Sequence, residues 1–295
     1  MRILALLRRP PPPKPVVMNR HSPRMPWLRP CCRLALVLLL ALAPPRPALA
    51  GAWPQPEDGG FVTLPLAPYE ARTQGFDRRG VPNGYGTQRA LELAPYWEHG
   101  LTARWTVGLQ PRLTAIWLNE AGNHGRNLGV SEVQAFARYN IHLGDRDAFS
   151  IQGQVGSPGL AQRDRNPSLA EPNATYELRL LYGRGIPLAP GVNAFFETQA
   201  GYRFRSGPAA DVVYLNTTIG IRPVAEWALW VQSITDLGMR NGRGFGADYS
   251  VQRINASIAW DVTARSTLAL SYIREVAGRH VPLGQGAVLA YWYRY

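Results

Sequence analysis

The sequence predicts an all-β fold, a transmembrane antiparallel β-barrel of about 12 strands. Three observations support this prediction. Most of the chain alternates apolar and polar residues with a period of two, and each alternating segment is about ten residues long. Short turns and longer polar loops separate these segments. After residue 50, no stretch approaches the run of about 18 apolar residues expected of a membrane-spanning helix.

The charge is concentrated at the start of the chain. The 295 residues carry a formal charge of +12, but nine of the 32 basic residues and both cysteines lie in residues 1–50, which contain no acidic residue. Residues 51–295 therefore carry 23 basic and 20 acidic residues. That near balance removes the argument for nucleic-acid binding, and the lack of thiols removes cysteine nucleophiles and cysteine-ligated metals.

The first fifty residues have the organisation of a secretory signal. Arginines precede the apolar run Leu34–Ala43, and a small-residue site with Ala48 and Ala50 follows it. A basic region, an apolar core of about ten residues and an A-x-A site are typical of a cleaved signal peptide. We therefore expect a signal with an N-terminal extension over residues 1–50 and a barrel over residues 51–295.

Alternation within one segment illustrates the pattern. In residues 103–117, Trp105, Leu109 and Trp117 share one face, and Arg104 and Arg112 lie on the other. Successive side chains of a strand point to opposite faces, so one face is apolar and the other polar. We predict strands near residues 61–69, 87–98, 103–117, 129–142, 148–157, 174–185, 193–205, 211–222, 226–236, 247–260, 266–275 and 285–295.

The connections distinguish a membrane barrel from a soluble sandwich. Five are short, near residues 99–101, 143–147, 187–191, 223–225 and 261–265. The others are mostly longer, at residues 71–86, 119–128, 158–171 and 238–246, with a shorter one at 206–210. Short periplasmic turns that alternate with longer outer loops are typical of bacterial outer-membrane barrels. We therefore expect the chain in the bacterial outer membrane, in contact with lipid and lipopolysaccharide.

The chain ends in an alternating strand whose outward face is aromatic. Tyr291, Tyr293 and Tyr295 lie on one face of this strand. The strand resembles the C-terminal signal by which outer-membrane barrels are recognised for insertion. The resemblance implies the barrel assembly machinery as a partner.

Two short patches resemble a known group of envelope proteins. The stretch of residues 51–62, followed by Phe76-Asp77, and the run of residues 91–102 resemble the XagA-type envelope proteins. This resemblance implies a barrel in the cell envelope and a link to surface adhesion or polysaccharide. It implies no catalytic residue.

The polar faces of the strands define a candidate lumen. Its selectivity candidates are charged residues: Arg104, Arg112, Arg138, Arg179, Arg203, Arg205, Arg222, Arg253, Glu132, Glu177 and Glu197. Rings of charged side chains set pore selectivity, so an arginine-rich lumen would favour small anionic solutes. Alternatively, arginine–glutamate pairs brace a closed core. About 12 strands fit either interpretation, since this count lies between solid eight-stranded barrels and wide porins.

We expect a small pore or transport protein without cofactor or metal. A closed barrel that binds surface polysaccharide or mediates adhesion through its outer loops is the second hypothesis. A lipid-modifying enzyme is the third, and it would need a histidine near a nucleophile. His124 and His280 are the outer-loop histidines, but no serine is close to either in sequence. We therefore predict that the protein is not an enzyme.

Overall fold

The structure, a computed structural model, describes residues 51–82, 86–120, 123–160, 166–167, 169, 173–243 and 248–295. The predicted signal, with Ala48 and Ala50, lies outside the described residues. The described part of the chain contains no helix that is long and apolar enough to cross a membrane.

The described residues form one antiparallel sheet that closes on itself. Its strands are β1 (Gly60–Phe76), β2 (Thr87–Leu93), β3 (Tyr96–Gly100), β4 (Trp105–Glu120), β5 (Asn123–Leu143), β6 (Asp147–Ser157), β7 (Thr175–Ala189), β8 (Val192–Arg205), β9 (Val212–Val224), β10 (Trp227–Gly238), β11 (Ser250–Asp261), β12 (Ser266–Arg279) and β13 (Val281–Arg294). Strand β13 pairs with β1, which closes the barrel.

Thirteen strands of the described chain occupy 12 positions around the barrel. Strands β2 and β3 both pair with β1 on one side and with β4 on the other, so they share one position. They are separated at Ala94-Pro95, where proline has no N–H to donate to the ladder. The predicted barrel of about 12 strands is confirmed, and the predicted strand 87–98 is present in two pieces.

The apolar face of each strand points outward. On β4, Trp105, Leu109, Leu113 and Trp117 are 40–47% exposed, whereas inward-facing Thr114 is buried. The same exposed apolar surface continues around the barrel with Leu64, Leu66, Leu91, Leu93, Leu178, Leu180, Leu229, Val231, Leu268, Leu270 and Leu289. Such a continuous apolar surface fits lipid rather than water.

Aromatic rings mark both edges of the apolar surface. At the end with the short turns, Trp227 stacks on Trp260 with centroids 6.0 Å apart, and Trp105 lies 5.0 Å from Tyr139. Trp117 lies 12 residues further along β4 than Trp105. A tilted strand of that length rises about 30 Å, which is close to the thickness of the hydrocarbon layer. The two edges therefore match the two membrane interfaces.

Two hairpins extend further than the sequence predicts. Strand β4 runs to Glu120 and β5 starts at Asn123, so the predicted loop 119–128 is mostly strand. Strand β12 likewise runs to Arg279, and His280, with φ of 53°, forms the turn to β13. Beyond the membrane the outward residues become polar, although the backbone ladder continues. Because the apolar alternation stops there, the sequence pattern predicts a loop where the strands in fact continue.

The seam between β1 and β13 supports a prediction about the C-terminal residue. Gly60 and Tyr295 exchange two backbone hydrogen bonds of 3.0 and 3.1 Å, and Trp97 Nε1 donates to the Tyr295 hydroxyl over 2.8 Å. We expect Tyr295→Ala to lower the fraction of chain that reaches the outer membrane folded, measured by the heat-dependent gel shift. Tyr272→Ala removes another outward tyrosine from mid-strand and should change that fraction little. Equal folded fractions for the two variants would contradict a special role of the C-terminal aromatic residue.

Candidate functional site

The end of the lumen beside the short turns contains a stretch of the chain itself. We call residues 51–57 the lumenal segment. Ala52 is fully buried. Its N–H donates to Glu197 Oε1 over 3.0 Å, and its carbonyl accepts from Ser150 Oγ over 2.5 Å. Asn140 Nδ2 donates to the same carbonyl over 3.4 Å. Polar side chains from three strands thus hold the segment within the barrel.

A tryptophan anchors the lumenal segment against the wall. Trp53 packs against a small buried cluster of Ala52, Ala148 and Leu181. Gly183 leaves the space for this ring, since a Cβ atom there would lie 2.1 Å from Trp53 Cζ3. The wall is therefore shaped to the indole ring.

Arg138 is the central ligand of the lumenal segment. Its side chain is 2% exposed, and it forms an ion pair with Glu98. The guanidinium also donates to the carbonyls of Gly51 and Trp53. Gln55 Nε2 donates to the other Glu98 oxygen over 2.8 Å. Arg138, predicted as a selectivity residue, is thus engaged with the segment.

Most of the other predicted lumen arginines are also paired with carboxylates. Glu177 accepts from both Arg179 and Arg203, the latter over 2.6 Å. Arg179 also lies over the Tyr214 ring, with its Cζ 4.2 Å from the centroid. Two arginines that share one carboxylate leave an excess of one positive charge at this point in the lumen.

Two further predicted arginines form ion pairs elsewhere along the barrel. Arg222 lies 2.7 Å from Asp261 near the short turns. Arg253 lies 3.5 Å from Asp236 and 3.4 Å from Glu275.

Arg112, on β4, is also paired with a carboxylate. It lies 3.4 Å from Glu92 on β2 and is the register partner of Glu132 on β5. A bulge follows this register pair, because Leu113 opposes Val130 and Ser131 is the extra residue. Glu132 therefore lies beside the point where β5 bends.

Two of the predicted arginines differ from the rest. Arg104 is exposed in the turn before β4, where its Nη1 donates to the Tyr139 hydroxyl over 3.4 Å. Arg104, predicted to line the lumen, thus lies exposed just before β4, which starts at Trp105 and not at residue 103. Arg205 is buried at the other end of the barrel, where its Nη2 donates to the Tyr249 hydroxyl over 2.5 Å.

The longer loops are tied together at Asp211. This carboxylate accepts from the N–H of Arg205, from the Tyr202 hydroxyl and from Asn241 Nδ2, over 2.7–2.9 Å. Desolvation opposes its ionisation, but these donors outweigh it and hold the pKa of Asp211 below its ordinary value. The loop between β8 and β9 is thereby joined to the segment after β10.

A group of glutamines in the lumen was not predicted as functional. Gln110, Gln134, Gln152, Gln154 and Gln199 line a cavity of about 120 Å³ next to Gly51. The selectivity residues predicted from the sequence are all charged. The group could have been found from the sequence, because glutamines recur at alternate positions on the polar faces of the strands. Gln152 and Gln154 on β6 are an example.

The histidines do not form a catalytic arrangement with serine in the described part of the chain. His280 Nδ1 lies 2.9 Å from the backbone carbonyl of Asp248, and His124 is exposed on β5. Neither has a hydrogen bond to a serine among the described residues. The described residues likewise include no group of three or more histidines, cysteines or carboxylates that could hold a metal ion.

The pair of Arg138 and Glu98 supports a prediction about stability. We expect Glu98→Gln to lower the free energy of unfolding by about 3 kcal/mol, because it leaves Arg138 buried without its counter-charge. Glu92→Gln is the matched control, since Glu92 and its partner Arg112 are about one-third exposed and such pairs contribute about 1 kcal/mol or less. Denaturant unfolding of the detergent-solubilised barrel measures both changes. Equal losses would show that Glu98 contributes no more than a lumen-surface ion pair.

Comparison with known proteins identifies the fold class. No family model and no curated protein matches the chain. Among solved structures, the COG4313 outer membrane channel from Pseudomonas putida F1 superimposes with a TM-score of 0.64 at 15% identity, over 85% of this chain and all of that chain. The β domain of the Bordetella autotransporter BrkA superimposes with a TM-score of 0.50 at 15% identity, over 80% of this chain and 99% of that one. The chain therefore has the predicted fold, that of the bacterial outer-membrane β-barrels, and proteins with this fold lie in the outer membrane.

Proposed function

We propose that this protein is a channel for small solutes in the bacterial outer membrane. One observation carries the proposal: the interior of the barrel is lined by polar side chains around a cavity of about 120 Å³, rather than packed solid with apolar ones. An aqueous interior is what a solute path requires. The superposition on an outer membrane channel supports the same function by analogy of fold.

The lumenal segment narrows this path at the end with the short turns. Ala52 and Trp53 lie between β5, β6, β7 and β8, held by Arg138, Asn140, Ser150 and Glu197. Conduction therefore depends on how far this segment moves from the wall. If residues 1–50 are removed as predicted, Gly51 becomes the first residue of the mature chain.

We further propose a modest preference for anions. Most arginines of the lumen are neutralised by a carboxylate, so the predicted arginine ladder is weaker than the arginine count suggests. Glu177, however, is shared by Arg179 and Arg203, and Asp261 is shared by Arg222 and Arg294. In the opposite sense, Arg253 lies between two carboxylates. The Arg253 site offsets only part of this positive charge, and the Glu177 site lies on the strand pair β7–β8, which also holds the lumenal segment.

Two glycines on β7 provide the test of the channel. Gly183→Ala places a Cβ atom 2.1 Å from the Trp53 ring and should displace the lumenal segment. Gly185→Ala is the matched control, because the nearest atom to its Cβ atom would be the backbone carbonyl oxygen of Arg146, 3.7 Å away. We expect protein purified from outer membranes to give small single-channel currents in planar bilayers, and Gly183→Ala to enlarge them while Gly185→Ala does not.

The alternative outcome selects the second hypothesis. If the folded protein and both glycine variants stay silent, the barrel is closed and the channel proposal fails. Adhesion or polysaccharide attachment through the outer loops would then be the function to test. The resemblance to the XagA-type envelope proteins, which links the chain to that function, stays a prediction.

A further inference from the structure

The cavity in the lumen has an unusual lining. Five of its 11 lining residues are glutamines, contributed by β4, β5, β6 and β8. One apolar wall is formed by Tyr96 and Phe136, whose rings stack with centroids 5.7 Å apart. Gly51 of the lumenal segment lies against the same cavity. The site is thus an amide-rich chamber with an aromatic side, beside the lumenal segment.

Three of the glutamines form a directed chain. Arg138 Nε donates to Gln152 Oε1 over 3.1 Å, and Gln152 Nε2 donates to Gln154 Oε1 over 3.3 Å. Gln154 Nε2 then donates to Gln134 Oε1 over 2.9 Å. Gln152 and Gln154 are buried, and each is oriented by the donor before it. The chain ends at Gln134, whose amide N–H groups have no acceptor among the described residues.

The amides retain much of their hydrogen-bonding capacity. A primary amide offers two N–H donors and an oxygen that accepts twice. The side-chain amides of Gln110 and Gln199 form no hydrogen bond with another residue of the described chain. Both lie half-buried in the wall of the cavity. Donors and acceptors therefore alternate around one small volume, with positions fixed by the strands that carry them.

The charged groups of the chamber are paired. Its two guanidinium groups are those of Arg138 and Arg179, and each has a buried carboxylate partner outside the lining, Glu98 and Glu177, of which Glu177 is shared with Arg203. A group that both donates and accepts hydrogen bonds, such as a hydroxyl, satisfies such a lining, whereas a bare anion meets amide oxygens as well as donors. The lining therefore favours a neutral solute with several hydroxyl groups.

The volume limits the size of that solute. A water molecule needs about 10–15 Å³ of such space, so 120 Å³ accommodates on the order of ten waters. One monosaccharide-sized molecule fits this volume. Its less polar face can lie toward the Tyr96 and Phe136 wall, while its hydroxyls replace hydrogen bonds to water.

We propose that the glutamine chamber is a binding site for a small, uncharged, polyhydroxylated solute of about monosaccharide size. The inference deepens the proposed channel function by naming a solute class, and it rests on that function only for delivery of the solute. Binding itself can be measured without conduction.

Glucose is the probe, with gluconate and glucosamine as its anionic and cationic counterparts. Saturation-transfer NMR on the detergent-solubilised protein, purified from outer membranes, measures binding of all three. We expect saturable binding of glucose, and weaker binding of both charged molecules. This comparison needs no variant, so it does not depend on a substitution that folds.

Variants locate the binding site. The double variant Gln134→Leu/Gln154→Leu removes two amides from the lining and should weaken glucose binding about tenfold, or about 1.4 kcal/mol. Gln232→Leu is the matched control: this glutamine of β10 accepts from Asn255 over 3.4 Å and does not line the cavity. The heat-dependent gel shift confirms that each variant is folded.

The outcomes separate this inference from the channel proposal. Glucose binding that is lost in the double variant and kept in Gln232→Leu supports the site even if no current is measured in bilayers. Conducting protein that binds no glucose, or that prefers gluconate, overturns the neutral-solute site and leaves the channel intact. Equal binding by the double variant and the control would also overturn it.

Discussion

Closure of the backbone ladder is the constraint on which the rest of this structure depends. A hydrocarbon layer offers no partner to an unpaired N–H or C=O group, so a sheet that crosses it must have no free edge. Here β1 meets β13 along most of its length, and the seam continues to Gly60 and Tyr295 at the end of the chain. A long apolar outer surface follows, because every second side chain must face lipid.

The same closure turns the other half of the side chains inward. Twelve positions enclose too much space for the wall residues alone to fill, and the structure fills it in different ways along the barrel. Next to the short turns, alanines of β10 to β13 form an apolar cluster with Trp230 and Trp292. The opposite wall is polar and holds the lumenal segment through Arg138. The cavity remains beyond that segment. Gly51 belongs to the lumenal segment and also lines the proposed solute site, and Arg138 contacts both.

Charge in the lumen has a structural role before a functional one. An arginine in a confined space requires a counter-charge, and a carboxylate on a nearby strand supplies it. Glu98, Glu177 and Asp261 act in this way, and Glu197 instead accepts the Ala52 N–H. Arginines counted on the polar faces therefore overstate the charge that a passing ion would meet. The uncharged amides of the glutamine chamber, in contrast, retain free hydrogen-bonding capacity.

Strand number, facing and most strand ends were predictable from the sequence, because alternation follows directly from the apolar exterior. The division at Ala94-Pro95 and the extension of β4 and β5 were not, since they depend on backbone pairing and not on hydropathy. The position of residues 51–57 could not be predicted either. Their contacts join Ala52 to Glu197 and Gln55 to Glu98 across long separations in sequence, and no local pattern encodes such pairs.

If the barrel is a channel, water and small solutes enter the lumen as far as the glutamine chamber. Both native cysteines precede residue 51 and lie within the predicted signal. An introduced cysteine would therefore be the only thiol in residues 51–295. We predict that a small, membrane-impermeant thiol reagent modifies folded Gln134→Cys, and that it spares Ala269→Cys in the buried apolar cluster. Protection of both positions in folded protein would contradict a water-filled lumen.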